Sequence, residues 1–560
     1  MSPCWTSLTS NWYILLSFLL VRLVATFFSQ IPDCDEVFNY WEPLHFLLYG
    51  HGLQTWEYSP TFALRTYAYP ILHAIPAYIA EHSFGLTNHI SIFYTVRACL
   101  ALVCCTTEIY FICAIERRYG KRVSIFTSIF LLFSPGMFLS SPTFLPSTFT
   151  MLALTVSMAA WFDKSYHYAL AAATVGTFIS CWPYVAVSFI PLGLDALARK
   201  NIYAVIGWCF FLVVIVNIPI LALDAHYYGF LSYTPWNIVR YNVVEAKANL
   251  YGVESWKYYP LNLILNFNVC FILSCLSFIV PIYNMITKKK QSFELLIHLT
   301  PLYIWGIVMQ TRPHKEERFI YFVYTMICFT GAIALDWFAE KFTYIFCNSC
   351  SSTLSTSSIN ADNDDNDDND DSNGQTKKNT TKTTSTNNSC YWFVSSLIML
   401  PFILLSVSRI INVIKHYRAP MEIYSHLYND ELTKSWGHLF RFHHSHENAY
   451  DPNHHDLPAL KYTKDYYNKD IDAGDHVAVC VGKEWYRYPS SFYLRPWSRL
   501  YFLKSSFTGQ LPSKYKESHD ENDIYGTRAH TPYMNDNNKE EITRYIDYKE
   551  CHYIIDLGKF

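Results

Sequence analysis

The sequence predicts a mainly α, polytopic membrane protein with about 10–12 transmembrane helices. Three observations carry that prediction. Charged residues make up only 16% of the 560-residue chain while 51% are hydrophobic, against roughly 25% charged in ordinary soluble domains. Apolar runs long enough for a hydrocarbon layer of ~30 Å recur through the first 340 or so residues. Mean hydropathy is nevertheless only +0.08, so a polar portion offsets the membrane portion.

The first span is 11–30. No small-residue cleavage site follows it, so it reads as a signal anchor rather than a removed signal peptide. Arg22 within it either snorkels to the interface or faces the protein interior. Segment 62–84 is aromatic and apolar but interrupted by Pro70, Pro76, Arg65, His73 and Glu81. It reads as interfacial helices in the first loop, not a span. Further spans are expected at 89–114, 123–140, 147–162, 202–221, 261–286, 293–310, 319–338 and 391–413. Region 169–198, interrupted by Pro183 and Pro191, is two short spans or one bent one.

Orientation follows from the short basic loops. Arg117, Arg118, Lys121 and Arg122 form one, Arg199 and Lys200 a second, Lys288, Lys289 and Lys290 a third. Counting spans puts all three on one side, the cytosol. The loop from Asp33, the loop 224–260 and the turn 311–318 then fall together on the opposite, luminal side. Four units follow: a transmembrane module at 1–342, a disordered acidic, Asn-rich cytosolic insert at 343–389, a last span at 390–414, and a small mixed α/β luminal domain at 415–560. Cytosolic placement leaves the sequons at Asn379 and Asn387 unused. In the tail, 477–481 and 552–557 read as short buried strands carrying Cys480 and Cys551, either disulfide-bonded or free. The C-x-x-C from Cys347 to Cys350 lacks the second pair a zinc site wants. A net charge of −3 without a basic stripe excludes a nucleic-acid partner.

Two charged clusters sit at the luminal membrane surface. Asp33, Asp35 and Glu36 lie at the mouth of the first span, followed by Tyr40, Trp41, Glu42, Trp56, Glu57 and Tyr58. A carboxylate cluster at a bilayer edge carries a desolvation cost. The bland explanation is a polar helix exit with an aromatic belt. The second cluster runs from Arg312 through Pro313, His314, Lys315, Glu316 and Glu317 to Arg318. Pro313 suits a helix start, on which His314 and Arg318 would share a face. Here the bland explanation is a charged helix cap. Yet three cations on the luminal side break the positive-inside pattern, and a lipid phosphate would want such a cluster. Together, a carboxylate able to take a proton and cations able to hold a leaving phosphate suit group transfer from a lipid phosphate. Two adjacent carboxylates also leave Mg²⁺ or Mn²⁺ open as a ligand.

The stretches DCDEVFNYWEPLHFLLYGHGLQTWEYSP and RPHKEERF, with VCVGKEWYRYPSSFYLRP in the tail, carry a resemblance. They resemble the mannosyltransferases that extend lipid-linked glycans in the endoplasmic reticulum, glycosyltransferase family 22 of the GT-C superfamily. The words FNYWEP and TWEYSP are similar to the α-1,2-transferring members more than to those acting on the GPI anchor. The resemblance covers residues from about 10 to 340 and the tail; the insert at 360–388 has no counterpart in it. It implies a GT-C membrane fold, a luminal active site, dolichyl-phosphate mannose as donor and a dolichyl-diphosphate-linked oligosaccharide as acceptor. It also implies inversion, without a metal or other cofactor. By this resemblance Asp35 is the expected general base, with Asp33 and Glu36 orienting the acceptor or tuning that base. His314, Lys315 and Arg318, with Arg65, are the expected donor-phosphate ligands, although Arg65 could equally snorkel. Trp41, Glu42, Trp56 and Tyr58 are the expected acceptor-sugar contacts, for which an interfacial belt remains the alternative. A GPI-anchor mannosyltransferase, a transporter and a structural subunit are the competing readings. The sequence has no internal repeat of the kind a transporter would show.

Overall fold

The computed structural model describes residues 12–245, 247–288, 292–357, 372–432, 476–517 and 525–556. Among the described residues, six helices are long and apolar enough to cross a membrane: His89–Tyr119, Ile202–Tyr228, Tyr258–Ile286, Ser292–Thr311, Glu317–Ile345 and Asn388–Glu431. Trp12–Phe28 and Pro146–Phe162 are shorter apolar helices. The span expected at 123–140 is broken at Ser134 into Lys121–Phe133 and Pro135–Ser140, because Pro135 cannot continue the hydrogen-bond ladder. Region 169–198 resolves into two short helices, Tyr166–Ile179 and Ile190–Arg199, joined by a tight turn that Pro183 opens. Glu317–Ile345 is the central pillar, with 89% of its apolar window buried, whereas Ile202–Tyr228, at 17%, turns an apolar surface outward.

Local chemistry sets the helix ends. Asn88 caps His89–Tyr119 by accepting from the N–H groups of Ile90 and Ser91, and Gly120 stops it at φ 94°, a conformation that favours glycine. Arg117 and Arg118 in its last turn complement the helix dipole. Their partners show which loops share a face. Arg117 pairs with Asp163 at 2.6 Å, Arg118 with Glu294, and Arg199 with Asp195 at 2.6 Å. These pairs gather two of the three basic loops on one face, and the Asp33 loop lies on the other. Ala68–Phe84 stays on that second face. Near its start the Tyr69 ring packs edge-on against Tyr40 at 5.5 Å, and just past its end His89 stacks on Tyr49 at 4.0 Å. Tyr40 and Tyr49 both belong to the first loop, so this helix does not cross, as its proline and charge pattern predicts. Arg22 faces inward, donating to Glu108 at 2.6 and 2.9 Å and to the carbonyls of Leu131 and Met137. With both partners fully buried, the pair satisfies a charge that hydrocarbon would not.

The tail carries a parallel sheet in the order β3-β2-β5, with β2 Val477–Val481, β3 Ser498–Phe502 and β5 Tyr553–Ile555. Cys480 and Cys551 form a disulfide. β2 is wholly buried, but β5 is the sheet edge and Ile554 is exposed, so 552–557 is not the buried strand its apolar run suggests. The tail is stitched to the first loop. β1, Leu53–Gln54, pairs antiparallel with β4, Ser513–Lys514, in the register Leu53 to Lys514 and Gln54 to Ser513. The helices Tyr324–Ser357 and Ser372–Tyr417 run into the 343–389 insert from both ends, while residues 358–371 and the side chains of Cys347, Cys350, Asn379 and Asn387 lie outside what the structure describes.

Candidate active site

Asp33 is extended (φ −134°, ψ 125°) and caps the short helix Cys34–Glu36, accepting from the Asp35 N–H at 2.9 Å. The chain runs on through a π-turn, Val37–Trp41, into the helix Glu42–Tyr49. Adjacent residues on a helix diverge by about 100°, and that divergence sorts the carboxylates. Asp35 turns into a cavity of about 660 Å³, while Glu36 turns into the core. Glu36 is fully buried and accepts from the Trp41 indole at 3.1 Å and the Phe144 N–H at 2.9 Å. It therefore supports the loop and does not reach the cavity.

The second cluster is not the helix start that Pro313 suggests. Residues 312–316 are irregular, and a tight helical turn, Glu317–Val323, follows. The loop at 252–254 competes for these backbone groups: Glu254 N–H donates to the Pro313 carbonyl at 3.0 Å, and His314 Nδ1 contacts the Gly252 carbonyl at 3.0 Å. His314 and Arg318 both line the cavity nonetheless. Lys315 does not. It is buried, and its ammonium donates to the carbonyls of Arg312 and Glu254. Arg312, exposed on the same loop, lines the cavity in its place and makes no ion pair among the described residues.

Arg318 joins the two clusters. Its guanidinium reaches Asp33 at 2.8 Å, Asp35 at 2.6 Å and also Glu316. Glu316 in turn contacts His314 Nε2 at 3.0 Å. Arg65 does not snorkel; it binds Glu57 through two bonds at 2.9 and 3.2 Å and donates to the Tyr40 hydroxyl at 2.8 Å. The two leading carboxylates are pushed apart. Burial lifts Asp33 to about 7, against Arg318 and with the like charges of Glu316 and Asp35 adding to it. Burial acts on Asp35 too, but Arg318, Arg65 and His314 outweigh it and hold Asp35 below the usual carboxylate range. At His314 burial works downward, and the Glu316 carboxylate more than offsets it, so its pKa is raised. Opposite shifts in one carboxylate pair mark out an ionised base and a proton-bearing neighbour.

Asp33, Cys34 and Asp35 place one ligand atom each within 4.8 Å of one another, the one such cluster among the described residues. Arg318 already bridges the two carboxylates, and a thiol is a poor partner for Mg²⁺ or Mn²⁺, which seek about six oxygens. The set does not fit those ions well.

Of the aromatic and acidic residues expected at the acceptor, only Trp56 lines the cavity, packed against Tyr241 at 5.1 Å. Trp41 and Tyr58 are core residues, and Glu42 is fully buried against the tail. Burial, not a headgroup belt, explains Trp41 and Tyr58. The cavity also has walls beyond the expected site residues: Trp182 and Tyr184 from the membrane module, Tyr241, Asn242 and Tyr251 from the 229–257 loop, and Trp485, Gln510 and Asn538 from the tail. Single aromatics and amides spread over some 350 residues give no local signal of convergence. The motif VCVGKEWYRYPSSFYLRP marked Trp485 without its role.

Similarity to known proteins covers nearly the whole chain. The chain is 37% identical to the α-1,2-mannosyltransferase ALG9 of Mus musculus over 96% of its own length and 78% of the mouse protein. The yeast (Saccharomyces cerevisiae) protein of that name is 28% identical over 97% of this chain and 84% of its own. A GPI mannosyltransferase 3 from Drosophila melanogaster matches at 27% but over only 55% of this chain and 53% of its own. In fold, the crystal structure of ArnT from Cupriavidus metallidurans bound to undecaprenyl phosphate superposes with a TM-score of 0.52. It covers 90% of this chain and 87% of ArnT at 12% identity, so it speaks to architecture alone. The match to the family model runs over residues 13–495, through the carboxylate loop, the Arg312–Arg318 turn and the first strand of the tail, and on that match the chain belongs to the Alg9-like mannosyltransferase family.

Proposed function

We propose that this mannosyltransferase moves mannose from dolichyl-phosphate mannose to a hydroxyl of a lipid-linked oligosaccharide, forming an α-1,2 linkage with inversion, at the luminal face of the endoplasmic reticulum membrane. The observation that carries the reading is Asp35, ionised and facing a cavity whose rim holds Arg312, His314 and Arg318. The acceptor oxygen attacks the anomeric carbon and the sugar–phosphate bond breaks. The bonding pair leaves with dolichyl phosphate, and the hydroxyl proton passes to Asp35. Attack opposite the leaving group turns the β donor into an α product. Arg312 and His314 match the phosphate charge, so the leaving group needs no proton, unlike the leaving groups of glycosidases. Arg318, bound to both aspartates, positions the base, and Arg65 holds the Glu57 side of the cavity. The relatives named ALG9 support the α-1,2 linkage, and the GPI relative matches too little of the chain to favour its acceptor.

The test is mannose transfer by the purified chain, with linkage analysis of the product. Dolichyl-phosphate mannose serves as donor and a mannose-terminated lipid-linked oligosaccharide as acceptor. Asp35→Asn should fold and lose about 10²–10⁴ in kcat, the usual worth of a positioned base. A folded Asp35→Asn that keeps most of its rate would remove Asp35 from that role. A wild type that transfers only to a GPI precursor would overturn the acceptor assignment.

A further inference from the structure

The cavity has two walls of opposite chemistry. One, from the first loop and the 312–318 turn, carries all its charges. The other comes from the tail and carries none: Trp485, Phe507, Gln510, Leu511, Pro512 and Asn538. A charged donor uses the first wall. The second offers aromatic faces and amides, which suit a neutral polyhydroxyl ligand. An amide N–H₂ can donate to sugar hydroxyls, and rings cover the apolar face of a sugar.

That second wall is a built surface. Trp485 is half-buried between Phe38 at 5.9 Å and Phe507 at 4.7 Å, which fixes its ring. Gln510 spends both ends of its side chain on the loop after Pro532: its oxygen accepts from the Asn535 N–H at 3.2 Å, and its amide donates to the Tyr533 carbonyl at 3.1 Å. Its own N–H donates to Asn538 Oδ1 at 3.1 Å. The Asn538 carbonyl oxygen is thus engaged from behind while Asn538 lines the cavity. Its backbone is left-handed at φ 50°, a conformation asparagine tolerates better than most residues. The loop is clamped from across the cavity, because Asp536 receives Lys247 Nζ at 2.5 Å and its carbonyl accepts from the Tyr241 hydroxyl at 3.0 Å. Beneath, the β1–β4 pairing holds Leu511 and Pro512 against the first loop.

We propose that Trp485 and Asn538 form the acceptor subsite: a mannose of the incoming oligosaccharide lies on the Trp485 ring, and the Asn538 amide donates to its hydroxyls. The proposal rests on the functional reading above and adds to it which part of the chain selects the acceptor. The tail, not the carboxylate loop, then reads the glycan, while the donor is bound by a separate wall.

Steady-state kinetics of the full-length chain in nanodiscs tests this. Acceptor and donor are varied separately for wild type, Trp485→Ala, Asn538→Ala and Asn538→Gly. Asn538→Gly keeps the left-handed backbone but frees the Gln510 N–H, so its kinetics are read beside a thermal unfolding curve that matches wild type. Acceptor KM should rise about tenfold or more in each, as for truncation of a buried binding anchor, with donor KM within about twofold of wild type. Unchanged acceptor KM in folded Asn538→Gly, or donor and acceptor KM rising together, overturns the subsite. Should the wild type transfer nothing to this acceptor, equilibrium binding of the same lipid-linked oligosaccharide separates the two ideas. Binding that Asn538→Gly loses keeps the subsite and refutes only the transfer reading; absence of binding overturns the subsite.

Discussion

Glu42 separates a sugar contact from a structural tie. Its carboxylate is fully buried and takes three hydrogen bonds, from Ser491 N–H at 2.6 Å, Ser491 Oγ at 2.8 Å and Leu53 N–H at 2.9 Å. Ser491 belongs to the tail and Leu53 to the first loop, so one side chain welds the two. Glu42→Ala strands two buried N–H donors; the Ser491 hydroxyl keeps Tyr488 at 3.1 Å. At about 1–3 kcal/mol per stranded donor, the loss is about 2–6 kcal/mol. Burial also lifts the Glu42 pKa from 4.5 to about 7. Because the folded value is raised, the corresponding stability is present below pH 4.5 and drains away as pH rises through 7. At about 1.4 kcal/mol per pH unit, the difference between wild type and Glu42→Ala should shrink by about 3 kcal/mol between pH 4.5 and pH 7 or above. Protease resistance of the tail and thermal unfolding of the purified chain at pH 5 and pH 8 measure both. A variant as stable as wild type at pH 5, with a raised acceptor KM, would show that Glu42 meets the sugar instead.

The other predictions concern the charged wall. Arg312→Ala should raise donor KM about tenfold, the worth of one charge-assisted contact, with stability unchanged. Lys315→Ala should lower stability with little effect on donor KM, because its ammonium serves two carbonyls; the reverse pattern in donor kinetics would return Lys315 to the phosphate. Asp33 has its folded pKa raised from 3.8 to about 7, so its contribution to stability is present below about pH 4 and is lost on rising through 7. Its ionisation places a second negative charge beside Asp35, so donor KM should climb as pH rises through 7, and Asp33→Asn should flatten that rise; a climb that persists in Asp33→Asn refutes the link.

Much of the fold was legible because membrane insertion writes simple rules. The span count put the basic loops on one face, where the ion pairs of Arg117, Arg118 and Arg199 gather two of them, and proline and charge marked Ala68–Phe84 as part of the first-loop layer. The site was legible in part. Asp33, Asp35, His314, Arg318, Arg65 and Trp56 are brought together as their chemistry suggests. Glu36, Trp41, Glu42, Tyr58 and Lys315 turn away, and each does so for a local reason: a 100° step along a helix for Glu36, tail docking for Glu42, carbonyl capture for Lys315, and plain core packing for Trp41 and Tyr58. These reasons depend on which neighbour arrives from far along the chain. The 312–318 turn shows this well. Its own sequence favours a helix start, yet pairing with Gly252 and Glu254 keeps it extended and delivers Arg312 to the cavity in place of Lys315.

The charge balance of the cavity links its architecture to its chemistry. Arg65, Arg312 and Arg318, with His314, face Asp33, Asp35, Glu57 and Glu316. Arg65, Arg318 and His314 are already matched by carboxylates, so an arriving phosphate meets unspent charge at Arg312. Under the proposed reaction, the leaving phosphate would be held at Arg312 while Arg318 keeps Asp35 in place as base, and the acceptor would enter from the uncharged tail wall. Substituting Arg318 would therefore disturb the base, whereas Asp35 and Arg312 can be altered one at a time.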